Sequence, residues 1–282
     1  MTAWNFADVW ETIAEVQPDA PALIRDASVR SWSEFDRRAS ALGARLVGAG
    51  LSRQSRVAQY LMNSMEYVES LFATFKVAMV PVNTNYRYVA DELAYLWVDA
   101  GVEAVIFHGS FTESAAQVRS RVPDVKLWLW VDDGNGQCPE WAEPYEDAAQ
   151  SGALVAPDSP SRSGDDLFLL YTGGTTGQPK GVMWRQDDLF CVLNRSATIK
   201  YAEDGDLDVV RKGLTEAGEV RARVIPAAPL MHGTAAFSAF AVLNSGGAVV
   251  LCENTKFDPE ELLDTVELHR VTDLSKIGRA HV

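Results

Sequence analysis

Apolar residues alternate along the chain between short continuous runs and helical spacings. Ser33 is placed to cap a helix, with Asp36 at the capping-box position. Phe35, Ala39, Leu42 and Leu46 then recur on one helical face, and Gly50 is placed to end it. Residues 56–61 read as a short apolar strand, followed by a helix with Val68, Leu71, Phe72 and Phe75 on one face. A strand at 79–82 precedes a helix carrying Asp91, Glu92, Leu93 and Leu96, and the runs 104–107 and 125–131 are further strands. Later strands are expected at 167–171, 224–228 and 248–251. The polar, acidic stretch 201–222 reads as a surface excursion. Asp258, Pro259, Glu260 and Glu261 start a helix with a cap, a proline at the first position and acids at the positive dipole end. Apolar strands bounded by helices predict an α/β fold of layered, largely parallel sheets with flanking helices.

Two stretches break this rhythm. Residues 132–137 are turn-rich, and residues 156–166 hold two prolines, three serines and a glycine. The second predicts a boundary between an α/β subdomain at 1–160 and a second, incomplete one at 161–275. At 47% hydrophobic, the chain of 282 residues has material for a sizeable core. Its 25 basic and 39 acidic side chains leave a net charge of −14, which argues against a nucleic-acid partner. A small anion held by a few backbone N–H groups remains compatible with that charge. No apolar run has the length of a membrane helix; the best candidate, 236–252, is broken by Asn244, Ser245, Gly246 and Gly247. Asp8 and Glu11 sit where a leader would be basic and then apolar, and Cys138, Cys191 and Cys252 have no metal-ligand spacing. A reduced, cytoplasmic enzyme with no integral membrane segment and no metal ligands of its own is expected.

The candidate chemistry lies in Tyr171-Thr172-Gly173-Gly174-Thr175-Thr176-Gly177-Gln178-Pro179-Lys180-Gly181. The run follows an apolar strand, so it belongs at that strand's carboxyl end, where open α/β sheets bind ligands. Glycines let amide N–H groups converge on an anion with no Cβ in the way. Threonine hydroxyls add neutral donors and Lys180 a compact positive charge. Charge-assisted bonds of this kind contribute on the order of 1.5–3 kcal/mol each, a set suited to a triphosphate. It is not a Walker A loop: the G-x-x-x-x-G-K-S/T spacing fails, and Gly181 stands where that motif has its magnesium-binding hydroxyl.

This run resembles the phosphate-binding signature of the adenylate-forming (AMP-binding) superfamily, which includes acyl- and aryl-CoA synthetases, peptide-synthetase adenylation domains and luciferases. Ala228-Pro229-Leu230-Met231-His232-Gly233 is similar to that family's Pro-x-x-His segment, and 31–36, 56–63 and 80–96 follow its N-terminal order. The resemblance extends to about Ser275. It implies an acid–thiol ligase using ATP, coenzyme A and a small carboxylic acid. The acid attacks the ATP α-phosphorus to give an acyl-adenylate and pyrophosphate, and the thiol then displaces AMP. Thr172, Gly173, Gly174, Thr175, Thr176, Gly177 and Lys180 would hold the β- and γ-phosphates, and His232 would stand beside the carboxylate and the thiol route. A satisfied, half-buried histidine is the other reading of His232.

Gly173 replaces a serine common in the family, and Trp184-Arg185 replaces a Ser/Thr-His pair. The Met183-Trp184-Arg185 version resembles bacterial acyl-CoA synthetases acting on fatty or steroid-derived acids. Trp184 is either a pocket or a core residue. An aryl or amino acid substrate, or a non-catalytic nucleotide- or acyl-binding module, are the alternatives. His108 and His269 read as structural, and Glu203-Asp204-Gly205-Asp206 as a solvated loop. The family's magnesium-binding glutamate, ribose-binding aspartate and C-terminal lysine are expected beyond Val282, so the resemblance implies a truncated N-terminal large domain, inactive alone, with the Mg2+ ligand elsewhere. Residues 276–282 abandon the α/β pattern. Ile277 to Val282 reads as a frame of a sequencing adapter, ATC GGA AGA GCA CAC GTC, and is expected to be non-native.

Overall fold

A computed structural model describes residues 3–153, 161–173, 178–202, 204–218, 221–254 and 257–275. The 276–282 tail therefore lies outside the described residues. Among those described, the strands in chain order are β1 Pro21–Arg25, β2 Ser28–Ser31, β3 Arg56–Tyr60, β4 Val80–Asn83, β5 Val102–His108 and β6 Leu127–Val131, then β7 Glu143–Pro144, β8 Leu167–Thr172, β9 Lys180–Arg185, β10 Arg223–Pro226, β11 Ala248–Leu251 and β12 Asp273–Ser275. They form two sheets, ordered β12-β10-β11-β1-β2 and β7-β6-β5-β3-β4-β8-β9. Each is parallel except for one antiparallel strand at an edge, β2 in the first and β9 in the second. The expected α/β class, with largely parallel sheets, is what the chain adopts.

The chain gathers into two compact units, each assembled from separate stretches: 1–36, 63–65 and 187–282 in one, 37–62 and 66–186 in the other. The five-stranded sheet belongs to the first and the seven-stranded sheet to the second. In the first unit the helix Phe6–Val16 is capped by Asn5, whose side chain accepts from the Ala7 N–H. Its aromatic face joins Trp4, Phe190 and Phe240: Trp4 stacks on Phe190 at 4.6 Å and Phe6 meets Phe240 at 5.2 Å. Trp10 Nε1 donates to Asn244 Oδ1 at 2.8 Å, which settles its polar atom in the core. The stretch 201–222 is not a mere excursion. It contains the helix Leu207–Glu216, which buries Val210 and Leu214 on its apolar face while its charged residues face water.

In the second unit the continuous apolar strands are covered by helices, as parallel sheets require. Tyr60, Trp97, Phe107 and Trp128 are buried together, with Tyr60–Trp97 and Trp97–Trp128 edge-to-face at 5.7 Å each. The helix Trp32–Gly48, whose residues 32–36 belong to the first unit and 37–48 to the second, buries Phe35, Ala39, Leu42 and Leu46 as its spacing predicts. Its start is shifted from expectation: Ser31, not Ser33, accepts from a first-turn N–H, that of Glu34 at 3.2 Å. It ends just before Gly50, which takes φ +81°. The Gly50 N–H donates to Val47 O and the Leu51 N–H to Leu46 O, the paired bonds of a Schellman stop.

One buried ion network ties three helices of this unit. Arg38 is 2% exposed and Glu69 fully buried. Arg38 Nε donates to Glu69 Oε1 at 2.7 Å, and Nη1 and Nη2 donate to Glu146 at 2.6 and 2.9 Å. Tyr145 Oη donates to Glu69 Oε2 at 3.0 Å, so the buried carboxylate is satisfied twice over. Burial works against the Arg38 charge, but Glu146 and Glu69 outweigh it and hold the guanidinium well above its ordinary range. Removing one member of such a network leaves an uncompensated buried charge. Arg38→Ala should lower unfolding free energy by about 3–5 kcal/mol in urea denaturation. Glu146→Gln should cost less than about 1 kcal/mol, because that carboxylate is half exposed.

Candidate functional site

The Gly/Thr run bridges an antiparallel hairpin, β8 to β9, at the edge of the seven-stranded sheet. Thr172 and Lys180, at its two ends, are register partners, so they stand opposite each other. Thr172, Gly173 and Lys180 are exposed. Gly174, Thr175, Thr176 and Gly177 lie outside the described residues. The strand Lys180–Arg185 is not expected from the sequence, where Lys180 and Gly181 precede Val182, Met183 and Trp184 without alternation; Val182 and Met183 are exposed. In it Trp184, partly buried, pairs with Phe168, and Arg185 pairs with Asp165 at 2.6 Å.

The hairpin is anchored at both ends of β8. Where the strand begins, Asp166 is fully buried; its carboxylate accepts from the Ser163 N–H at 2.8 Å and Gln54 Nε2 at 3.1 Å, and pairs with Arg53. Burial raises this carboxyl above its ordinary range, with the Ser163 N–H and Arg53 opposing it. At the loop end, Asn83 closes β4. Its Oδ1 accepts from the Tyr171 N–H at 2.5 Å, and its Nδ2 donates to the Tyr171 carbonyl at 3.0 Å. Both main-chain groups of Tyr171 thus face β4. The Tyr171–Gly181 pair across the hairpin is then of the closer kind, without mutual hydrogen bonds. A Cβ on Gly181 would lie 2.9 Å from the Tyr171 ring, so glycine permits the ring to lie there. Tyr171 Oη donates to Asp99 Oδ2 at 2.7 Å. Burial first, then Asp99, pushes the phenol well above its ordinary range, so it stays neutral and keeps its proton on that bond.

His232 belongs to the other unit. It is exposed, which removes the half-buried reading, and it precedes the helix Gly233–Asn244, its carbonyl accepting from the Ala235 and Ala236 N–H groups. The turn before it is closed by the His232 N–H donating to Pro229 O at 2.9 Å. Asn63 pins this segment: its Nδ2 donates to Pro226 O and Ala228 O, both at 3.0 Å, and its Oδ1 accepts from the Leu230 N–H at 2.6 Å. Asn63 and Asn83 are the residues that sequence reading missed. An asparagine after a strand is an ordinary turn signal, and nothing local marks these two as holding chain 88 or more positions away.

Other candidates resolve as structure. His108 is buried and its Nδ1 accepts from the Met62 N–H at 3.0 Å. His269 follows the helix Pro259–Leu268, whose start is capped by Asp258 as expected. Glu203 lies outside the described residues; Asp206 caps the helix Leu207–Glu216 by accepting from the Asp208 N–H. Among the described residues no three His, Cys, Asp or Glu side chains gather as a metal site.

The sequence matches the family of AMP-binding enzymes over residues 10–279. It is 32% identical over 281 residues to a 3-oxocholest-4-en-26-oate–CoA ligase of Rhodococcus rhodochrous, covering 99% of this chain and 50% of that protein. It is 31% identical over 283 residues to a medium/long-chain-fatty-acid–CoA/3-oxocholest-4-en-26-oate–CoA ligase of Mycolicibacterium smegmatis, again covering 99% and 50%. The chain spans about half the length of these curated relatives. A fatty acyl CoA synthetase of Mycobacterium tuberculosis shares the fold, with a TM-score of 0.75 at 20% identity over 96% of this chain and 48% of that one.

The tight approach at Gly181 makes a contrast within the loop. Gly181→Ala should overpack the Tyr171 ring and lower stability by about 1–3 kcal/mol in chemical denaturation. Gly173, whose Cβ would meet nothing within 4 Å, should accept alanine with a change below about 0.5 kcal/mol.

Proposed function

The chain belongs to the AMP-binding enzyme family, and on that premise we propose that it is the phosphate-handling portion of an ATP-dependent acyl-CoA ligase. The observation that carries this reading is the Gly/Thr/Lys loop on the β8–β9 hairpin, with Thr172 and Lys180 face to face at its ends. The loop stands at the carboxyl end of β8 and beside that of the parallel strand β4, where open α/β sheets place ligands.

In this reading a carboxylate oxygen attacks the ATP α-phosphorus. A bond forms between them as the α–β bridging bond breaks, and its electron pair leaves with pyrophosphate. The protein's task is to stabilise that departing charge. Thr172, Thr175 and Thr176 hydroxyls, the N–H groups of Gly173, Gly174 and Gly177, and the Lys180 ammonium would bind the β- and γ-phosphates. Donors aimed at charge that grows in the transition state lower the barrier without reorganising at the moment of reaction. His232 would border the acyl carboxylate and the thiol's approach in the second step, in which the coenzyme A sulfur attacks the acyl carbonyl and AMP leaves. Magnesium, used by such chemistry, finds no carboxylate cluster among the described residues. The acid is a fatty or steroid-derived one, a reading supported by the substrates named for the two bacterial relatives. No helix among the described residues is long and apolar enough to cross a membrane; a cytoplasmic setting fits that reading.

Two outcomes follow for the enzyme that carries this sequence. Lys180→Ala and Thr176→Val should slow acid-dependent ATP–pyrophosphate exchange by roughly a hundredfold while acid affinity stays within about twofold. Exchange at the wild-type rate in both variants would remove the phosphate assignment; binding of nucleotide with no exchange for any acid would leave a binding module. His232→Ala should slow adenylate or thioester formation by about tenfold or more with unchanged unfolding, because the capping group there is its main-chain carbonyl. Full activity would return His232 to a merely structural place.

A further inference from the structure

Asn83 stands where the parallel ladder between β4 and β8 runs out. The register between those strands is carried by Val82 and Leu169. Tyr171, two residues further along β8, presents its N–H and C=O toward β4 with no further strand residue paired to it there. The Asn83 side chain fills the gap, because a carboxamide offers the same donor and acceptor as a peptide group. The two bonds measure 2.5 and 3.0 Å, and both residues are buried, with Asn83 3% and Tyr171 8% exposed.

Tyr171 is thereby held at three points: main chain to Asn83, phenol to Asp99, and ring against the bare Cα of Gly181. The next residue is Thr172, whose partner across the hairpin is Lys180. Moving Tyr171 would therefore move the first donor of the loop and its only lysine together. We propose that Asn83 is a positioning residue for the phosphate site: it touches no substrate, yet it sets where Thr172, Gly173 and Lys180 stand and so sets affinity for a polyphosphate chain. This rests on the phosphate reading of the loop. Convergent donors are sensitive to displacements of about an ångström, which is why their support matters as much as their identity. An amide serving the fold alone would lower stability and leave the affinity of the folded protein unchanged.

The test is calorimetric titration of the chain with inorganic tripolyphosphate, a probe that needs neither an adenine nor an acyl pocket. Wild-type protein should bind, and Lys180→Ala should weaken binding. Asn83→Leu, similar in size but without donor or acceptor, should weaken it by about tenfold or more in protein that still unfolds cooperatively. Asn83→Asp keeps the acceptor for the Tyr171 N–H but sets a carboxylate oxygen against the Tyr171 carbonyl, and should also weaken binding. If Asn83→Leu does not fold, Asn83→Asp decides. Wild-type affinity in a folded Asn83 variant, alongside a weakened Lys180→Ala, overturns the role of Asn83 and leaves the loop assignment standing. No binding by wild-type protein, or no effect of Lys180→Ala, overturns the loop assignment and this role with it.

Discussion

A buried main-chain group must find a partner, and that constraint governs the end of β8. The strand leaves its ladder one step before the loop, inside the sheet, where water cannot satisfy Tyr171. A single side-chain amide supplies both missing bonds. Beyond it the hairpin register sets Thr172 opposite Lys180, and Gly181 leaves room for the tyrosine ring. The same device recurs in the other compact unit, where Asn63 makes three bonds to the main chain between Pro226 and Leu230. In each unit an asparagine side chain holds the backbone adjoining a candidate site residue. Asparagine suits the task because one short side chain carries a donor and an acceptor at fixed separation.

Charge is handled locally throughout. A chain with net charge −14 is a poor host for a polyanion at long range, but beyond about 8 Å such fields are largely screened at physiological salt. On the proposed phosphate reading, what would count near the loop is backbone N–H groups, hydroxyls and one lysine, which act at contact distance. Acids elsewhere are spent on structure: Asp206 and Asp258 cap helices. Asp166 anchors the start of β8, and Glu69 with Glu146 encloses Arg38.

Legibility followed the range of the interaction. The face of Phe35, Ala39, Leu42 and Leu46, the stop at Gly50 and the cap at Asp258 depend on neighbours within a turn or two, and each appears where the sequence places it. The shift from Ser33 to Ser31 as cap is a two-residue choice between equal local signals, settled by where β2 delivers the chain. The helix Leu207–Glu216 falls in a stretch that reads as a surface excursion, because only Val210 and Leu214 of its residues are buried, too few to announce a face. The edge strand Lys180–Arg185 escaped notice because its apolar side chains are largely exposed and its pairing is across the hairpin.

Sequence alone was sufficient for the fold class, because apolar runs and helical spacings repeat along the whole chain, and it lists the polar groups that the run 171–181 carries as candidate donors. It could not show how those donors are held. Asn83 meets Tyr171 across 88 positions, Asn63 meets Leu230 across 167, and Arg38 meets Glu146 across 108. The assembly of each compact unit from separated stretches is a fact of the same kind. Such pairings arise when elements far apart in the chain are packed together, neighbouring strands for Asn83 and Tyr171 and helices for Arg38 and Glu146, so no neighbour in the sequence announces them.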